Sequence, residues 1–190
     1  MKKALLLASI LFVSVISTAC INNFAVQELN SKAKVYLEEG DYAGAIERLK
    51  SSIDLDDTIF ETHYNLAVAY TQAGDYANAI QQYKDAIGID GSVPDSYYSL
   101  AVAEENLSFD LKSGEVRFDD DGNLYTYKPD EDDEEYKVSD DVVKKINELR
   151  SDAVANYQIY LEKSPDASDA EEVKQKIEAL SLPFEAVDKD

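Results

Sequence analysis

The hydrophobic positions of residues 26–105 recur at the spacing of amphipathic helices. Within Val26–Glu39, and again within Phe60–Ala73, apolar residues lie three and four positions apart, which places them on one face of a helix. Gly40 and Gly74 follow these segments, where a chain commonly leaves a helix through a positive φ angle. The pattern therefore predicts two helical hairpins, each turning at its glycine.

The two hairpins are copies of one another. Aligning residue 26 onward with residue 60 onward gives eleven identities at a constant offset of 34 residues. A further shift of 34 pairs Tyr64–Ala69 with Tyr98–Ala103. The identical residues of the first copy are Ala33, Tyr36, Gly40, Asp41, Tyr42, Ala43, Ala45, Ile46, Lys50, Ile53 and Asp56. A repeat of this length that consists of two helices resembles the tetratricopeptide repeat.

The third repeat is interrupted by an insertion. The residues that match Ala79 and Tyr83 are Ala153 and Tyr157, at an offset of 74, so about 40 residues are inserted after Leu107. Alternating apolar and polar residues around residues 121–123 predict a β-hairpin. Six consecutive acids at positions 130–135 predict a solvated or disordered loop. Ser139 or Asp140 then caps a long helix that completes the repeat.

The resemblance implies an all-α, right-handed solenoid of antiparallel helix pairs. We place about three repeats at 26–59, 60–93 and 94–165, with the insertion at about 108–147 in the third repeat. Apolar residues on one stripe of residues 167–181 predict a C-terminal capping helix, and residues 182–190 form a tail.

The first nineteen residues have the pattern of a secretory signal. Lys2 and Lys3 precede an uncharged apolar run over residues 4–16. Residues 17–20, Ser-Thr-Ala-Cys, resemble the lipobox of bacterial lipoproteins, although Ser17 stands where leucine is typical. The resemblance implies cleavage before Cys20, acyl chains on that cysteine, and a short tether over residues 20–25. Two alternatives are an ordinary signal cleaved after Ala19 and a retained, uncleaved anchor.

The lipoprotein resemblance also implies a location. An exported protein that carries acyl chains stays on a bacterial membrane. The residues after Cys20, Ile21 and Asn22, lack the aspartate that often retains lipoproteins in the inner membrane. We therefore expect the outer membrane, on its periplasmic or surface face.

The formal charge of -21 indicates which kinds of molecule the protein can bind. Such a field repels phosphate backbones, so we expect no nucleic-acid partner, whereas a basic protein or a cation is compatible with it. Solubility alone is the alternative explanation of the acidity. Asp119, Asp121 and Asn123 have the spacing of a calcium loop, but Leu124 stands where the glycine of such a loop is required. We therefore predict an ordinary turn and no metal site.

The sequence offers no catalytic set. Cys20 is committed to the lipid, and His63 is the only histidine. His63 shares its repeat position with Leu29 and Tyr97, so we expect it to pack against the neighbouring helix. Phosphate-binding loops and Cys/His metal spacings are absent from the sequence. We predict that the protein is not an enzyme and needs no cofactor.

The resemblance places partner binding on the first helix of each pair, which lines a concave groove in this family. The residues expected to face that groove are Asn30, Lys34, Leu37, Tyr64, Val68, Thr71, Tyr98, Val102 and Glu105. Some chaperone-binding relatives hold a peptide carboxylate with a Lys/Asn/Arg set, but Asp95, Tyr98 and Val102 stand where its basic residues would be needed. An extended or helical apolar segment is therefore the predicted ligand. The capping helix could instead bury Tyr64 and Tyr98.

We therefore expect a membrane-anchored scaffold that binds other envelope proteins or peptides, within an assembly, secretion or transport complex. The alternative is a carrier that holds a small apolar ligand between the tyrosines as an accessory to a transporter.

Overall fold

A computed structural model describes residues 23–128 and 136–185. Within these ranges the chain forms seven helices and one hairpin. The helices are α1 (23–39), α2 (Tyr42–Ile53), α3 (Phe60–Gln72), α4 (Tyr76–Ile89), α5 (Pro94–Ser113), α6 (Asp140–Lys163) and α7 (Ala170–Ser181), and the strands are β1 (Val116–Phe118) and β2 (Leu124–Thr126). The predicted signal segment, Cys20 and the acidic run 130–135 lie outside the described residues. Among the described helices, none is both long and apolar enough to cross a membrane.

The repeated sequence produces the same turn twice. Gly40 and Gly74 have φ angles of 76° and 77°, which residues with a Cβ rarely adopt. The next residue in each copy caps the following helix: Asp41 accepts the Gly44 backbone N–H at 2.9 Å, and Asp75 accepts that of Asn78 at 3.3 Å. The predicted glycine turns between the helices of the first two pairs are confirmed.

Small residues allow successive helices to approach closely. Ala33, Ala67 and Ala101, one in each repeat, are fully buried or nearly so, as are Ala45 and Ala79 on the second helices. From α2 to α7, each helix packs on the next helix in the chain. This includes α5 and α6, although the hairpin lies between them in sequence. Buried clusters lie between neighbouring pairs rather than in one central core. The predicted all-α array of helix pairs is confirmed.

The insertion lengthens the third pair and adds the hairpin. Helices α5 and α6 contain 20 and 24 residues, against 12 to 14 in α2, α3 and α4. Strands β1 and β2 are antiparallel, with Arg117 opposite Tyr125, which confirms the predicted hairpin. Val116 and Leu124 pack into the same cluster as Tyr76 of α4. The hairpin therefore lies against the second repeat. This packing stabilises it, because an isolated two-stranded hairpin is only marginally stable in water.

Arg117 lies against two tyrosines, Tyr127 and Tyr136. Its guanidinium carbon lies 3.2 Å from the ring centroid of Tyr127 and 4.7 Å from that of Tyr136. The Tyr136 hydroxyl donates to the Leu111 carbonyl at 3.0 Å, which fixes the returning chain to the end of α5. The Arg117 side chain therefore holds Tyr127 and Tyr136 close to one another.

Helix α7 and the residues after it cover the last pair. Val173 and Leu180 are buried in a cluster with Tyr157 and Tyr160 of α6, which confirms the predicted capping helix. Beyond α7, the Asn147 side-chain amide donates to the Phe184 carbonyl at 3.0 Å and accepts the Phe184 backbone N–H at 2.8 Å. These two hydrogen bonds hold part of the predicted tail against α6.

Candidate partner-binding groove

The three predicted groove residues of α1 have different environments. The Asn30 side chain donates to Ser52 Oγ at 2.8 Å and accepts from Thr62 Oγ1 at 3.2 Å, so it links α1, α2 and α3. Lys34 is exposed, with Nζ 4.0 Å from a Glu38 carboxylate oxygen. Leu37 is half-buried against the cluster of the first pair. Lys34 and Leu37 are therefore available to a partner, whereas Asn30 is engaged in holding helices together.

Tyr64 of α3 lies in an aromatic row. Its ring centroid is 5.7 Å from that of Phe60, in a stacked arrangement, and 5.6 Å from that of Tyr83, edge to face. Its hydroxyl lies 3.2 Å from Ser99 Oγ on α5. The residue is only half-buried, so part of the ring remains accessible.

The other two α3 positions continue the same face. Val68 is half-buried against the central cluster. Thr71 donates to the Ala67 carbonyl at 2.9 Å and lies 3.4 Å from the Tyr83 hydroxyl. The exposed part of this face is therefore apolar, because the Thr71 hydroxyl is used within the fold.

The α5 positions meet α6 and α7. Tyr98 lies edge to face with Tyr157 at 5.6 Å, and Val102 packs on the cluster that contains α7. Glu105 accepts hydrogen bonds from the Tyr157 hydroxyl at 2.8 Å and from Lys176 of α7 at 3.0 Å. Of the two tyrosines that the capping helix could bury, Tyr98 lies in its cluster and Tyr64 does not. We call the half-buried surface of Leu37, Tyr64 and Val68 the groove face, and it belongs to the first two repeats.

His63 is enclosed between α3 and α4. It is 6% exposed, with Nδ1 2.9 Å from Gln82 Oε1 and Nε2 2.9 Å from the Asp57 carbonyl oxygen. Both ring nitrogens are therefore engaged with neighbouring side-chain and backbone groups. The imidazole contributes to packing and is not presented to solvent.

The calcium-like spacing in the insertion forms a hydrogen-bonded turn. One Asp119 carboxylate oxygen accepts the backbone N–H groups of Asp121 and Asn123, at 3.0 and 2.7 Å. Hydrogen bonds from these N–H groups lower the pKa of Asp119 below its usual value, those from Asn123 most strongly. Among the described residues, three or more His, Cys, Asp or Glu side chains nowhere gather in a group that could hold a metal ion.

The sequence pattern did not predict the buried position of Glu104. It occupies the repeat position of Tyr36 and Tyr70, yet its side chain is 0% exposed between α4 and α6. Burial raises the pKa of Glu104 to about 7, although hydrogen bonding by Asn156 and the Lys84 ammonium both act to lower it. The break in the tyrosine pattern was a visible signal, because a glutamate in place of a half-buried aromatic residue is unusual for a helix interface.

Comparison with known proteins concerns the repeats. Residues 30–105 match the tetratricopeptide repeat family. Among curated proteins, none matches the chain.

Solved structures extend the comparison to most of the chain. The first tetratricopeptide domain of Spaghetti (RPAP3), bound to an HSP90 peptide, is 18% identical, with a TM-score of 0.58 over 84% of this chain and 95% of that chain. The second such domain of human RPAP3, in complex with an HSP70 peptide, is 15% identical, with a TM-score of 0.57 over 85% and 98%.

A bacterial structure is similar to the same extent. The Yersinia enterocolitica type III secretion chaperone SycD, in complex with a peptide of the translocator YopD, is 16% identical, with a TM-score of 0.54 over 82% of this chain and 92% of that chain. At these identities the likeness concerns the fold alone. Together with the family match over residues 30–105, it shows that this chain has the fold of a tetratricopeptide repeat array, closed by α7 and carrying a hairpin in its third pair.

Proposed function

We propose that this protein is a lipid-anchored adaptor of the bacterial envelope whose groove face binds an apolar segment of another protein. The observation that carries the proposal is the groove face itself. Leu37, Tyr64 and Val68 are each half-buried on the first helices of the first two pairs. A surface that presents aromatic and aliphatic groups suits an apolar peptide segment.

The neighbouring structures support this kind of function. Three of them carry a bound peptide, from HSP90, HSP70 or a translocator. Their ligands are not transferred to this chain, because Asp95, Tyr98 and Val102 stand where basic residues would be needed to hold a peptide carboxylate. The partner proposed here is recognised through apolar side chains, and the charge of -21 favours a basic protein around that contact.

The packing of the tyrosines favours the adaptor over the alternative of a small-ligand carrier. The Tyr64 ring is stacked on Phe60 and meets the edge of Tyr83, and Tyr98 is in contact with Tyr157 and Tyr160. The tyrosine rings are thus engaged with neighbouring rings of the fold, which favours an accessible face over an enclosed ligand cavity.

Binding at the groove face is tested by a matched pair of substitutions. Val68→Glu places a charge on the face, whereas Val35→Glu makes the same change at a valine of α1 that is 49% exposed. The full-length protein and both variants are purified from native membranes, and the co-purifying proteins are compared by quantitative mass spectrometry. We expect one partner to be lost with Val68→Glu and retained with Val35→Glu. Retention of every co-purifying protein by the Val68→Glu variant would refute binding at this face.

The anchor has a separate test. The proposal places acyl chains on Cys20 and the folded part near the membrane surface, since only residues 20–25 separate them. Cys20→Ala is expected to release the protein from the membrane fraction, while mass spectrometry of the wild-type N-terminus detects the acyl groups. A Cys20→Ala variant that remains in the membrane fraction, with an unmodified wild-type cysteine, would contradict the anchor without affecting the groove.

A further inference from the structure

A carboxylate is buried inside the helix array with one oxygen unsatisfied. Glu104 Oε2 accepts a hydrogen bond from the Asn156 side-chain amide at 2.8 Å. Glu104 Oε1 has no hydrogen-bond donor, and Lys84 Nζ lies 3.7 Å from it, beyond hydrogen-bond distance. Buried charged groups are normally both paired and hydrogen-bonded, so this oxygen requires an explanation.

The unsatisfied carboxylate forms part of the wall of an open cavity between α4, α5 and α6. The cavity has a volume of about 330 Å³. Its apolar wall includes Ile87, Tyr97 and Leu100, and its charged groups are Lys84, Glu104 and Asp152. The cavity lies on a different face of α5 from Tyr98 and Val102, and Leu37, Tyr64 and Val68 of the groove face are not among its lining residues.

The residues that line the cavity carry more negative than positive charge. Among the residues that line the cavity, two carboxylates, Glu104 and Asp152, face one ammonium, that of Lys84. A second ammonium, that of Lys163, lies 5.4 Å from the ring centroid of Tyr97 at the edge of the wall. The Lys84 side chain is 50% exposed, so it is free to turn toward solvent when another cation enters. Asn156 supplies a neutral donor to one oxygen only. The cavity therefore offers two carboxylates and an apolar wall to a cation that carries several N–H donors.

We propose that this cavity binds an alkylguanidinium group, the side chain of an arginine on a partner protein, whose N–H groups donate to Glu104 Oε1 and to the Asp152 carboxylate. A planar guanidinium has five N–H donors in a fixed fork, against three on an ammonium, so it can donate to both carboxylates at once and pair with one of them through two parallel hydrogen bonds. Its alkyl stem contacts the apolar wall formed by Ile87 and Leu100.

Binding depends on pH because the guanidinium selects the ionised carboxylate. The pKa of Glu104 is about 7 in the unliganded fold, with burial as the main cause and Asp152 also raising it, while Asn156 and Lys84 lower it. The ionised fraction therefore rises from about one tenth at pH 6 to about nine tenths at pH 8. A ligand that binds only the ionised state has an apparent affinity reduced in proportion to the ionised fraction. The affinity for the guanidinium is therefore expected to be about tenfold higher at pH 8 than at pH 6.

The test is a titration of the ¹⁵N-labelled full chain, in detergent, with agmatine at pH 8. We expect saturable shifts of the Asn156 side-chain amide and the Glu104 backbone amide in ¹H–¹⁵N spectra. Glu104→Gln is expected to abolish these shifts while its other resonances report an intact fold. Glu178→Gln, an exposed acid of α7, makes the same change of net charge and is expected to retain them.

Two comparison ligands separate the proposal from general attraction of cations to an acidic protein. Tetramethylammonium, which has no N–H donor, is expected to leave the Asn156 amide unshifted at equal ionic strength. The tripeptide acetyl-Gly-Arg-Gly-amide is expected to reproduce the agmatine shifts, as an arginine side chain should. Equal shifts with tetramethylammonium, or unchanged titration of Glu104→Gln, would overturn the site. A response to agmatine without a response to the tripeptide would overturn the assignment to a protein partner.

Discussion

Replacing the buried Glu104 by glutamine should stabilise the protein, and the gain should grow as the pH rises above the ordinary pKa of a glutamate side chain. Glutamine keeps the shape of the side chain, and its carbonyl oxygen accepts the hydrogen bond that Asn156 now donates to Glu104. It removes the charge that burial disfavours in a side chain with 0% exposure. The expected sign is therefore opposite to that of most substitutions in a protein interior.

The magnitude follows from the pKa of Glu104, which is about 7 in the fold against an ordinary value of 4.5. Because the folded pKa is the higher one, the folded state binds more protons between these values, and stability falls as the pH rises through them. At about 1.4 kcal/mol for each unit of pKa, the higher pKa of the folded state lowers stability by about 3 kcal/mol at pH 8. At pH 5 the loss is about 1 kcal/mol, because only the unfolded chain is substantially ionised there. The advantage of Glu104→Gln should therefore grow by about 2 kcal/mol between the two pH values.

Urea unfolding followed by circular dichroism at 222 nm measures this difference. Wild type, Glu104→Gln and the exposed control Glu178→Gln are compared at pH 5 and pH 8. Burial and the nearby Glu115 raise the pKa of Asp110 to about 6. Asp110 is present in all three proteins, so its contribution to the pH dependence of stability cancels from the comparison. A Glu104→Gln curve that runs parallel to that of wild type across this pH range would refute the reasoning, as would a loss of stability at pH 8.

Three further substitutions test the packing, the tail and the turn. Ala67→Leu inserts a large side chain where the alanine is 0% exposed, so we expect a loss of about 1–3 kcal/mol in urea unfolding. Asn147→Ala removes both hydrogen bonds to the Phe184 backbone, and amide exchange at Phe184 and Glu185 should accelerate while the protection of α3 stays unchanged. Gly40→Ala places a Cβ at a φ of 76°, which should lower the free energy of unfolding by about 1 kcal/mol although nothing lies near the new methyl group.

Most of the fold could be predicted because it rests on local signals that repeat. The offset of 34 residues, the glycines with positive φ and the buried alanines each belong to one short segment, and a repeat array mainly joins segments that are neighbours in sequence. Even the hairpin was visible, since its alternation and its turn lie within residues 115–127. The predicted signal segment and Cys20 lie outside the described residues and remain predictions.

The candidate site was predicted less completely than the fold. Whether a partner can reach a side chain depends on which other elements pack over it. The period placed Leu37, Tyr64, Val68, Tyr98 and Glu105 on equivalent helix faces, and it did not distinguish between them. Only the tertiary structure shows that α7 holds Glu105 through Lys176, 71 residues away, whereas the first two repeats keep their face partly open.

The sequence by itself determined which residues form helices, where the chain turns and how often the unit repeats, because these depend on contacts within a few residues. The tertiary structure alone decided what surrounds Glu104. Lys84 lies 20 residues before it and Asn156 lies 52 residues after it, across the insertion. The cost of burying a charge depends on such distant partners, and no local pattern of hydrophobic and polar positions encodes them.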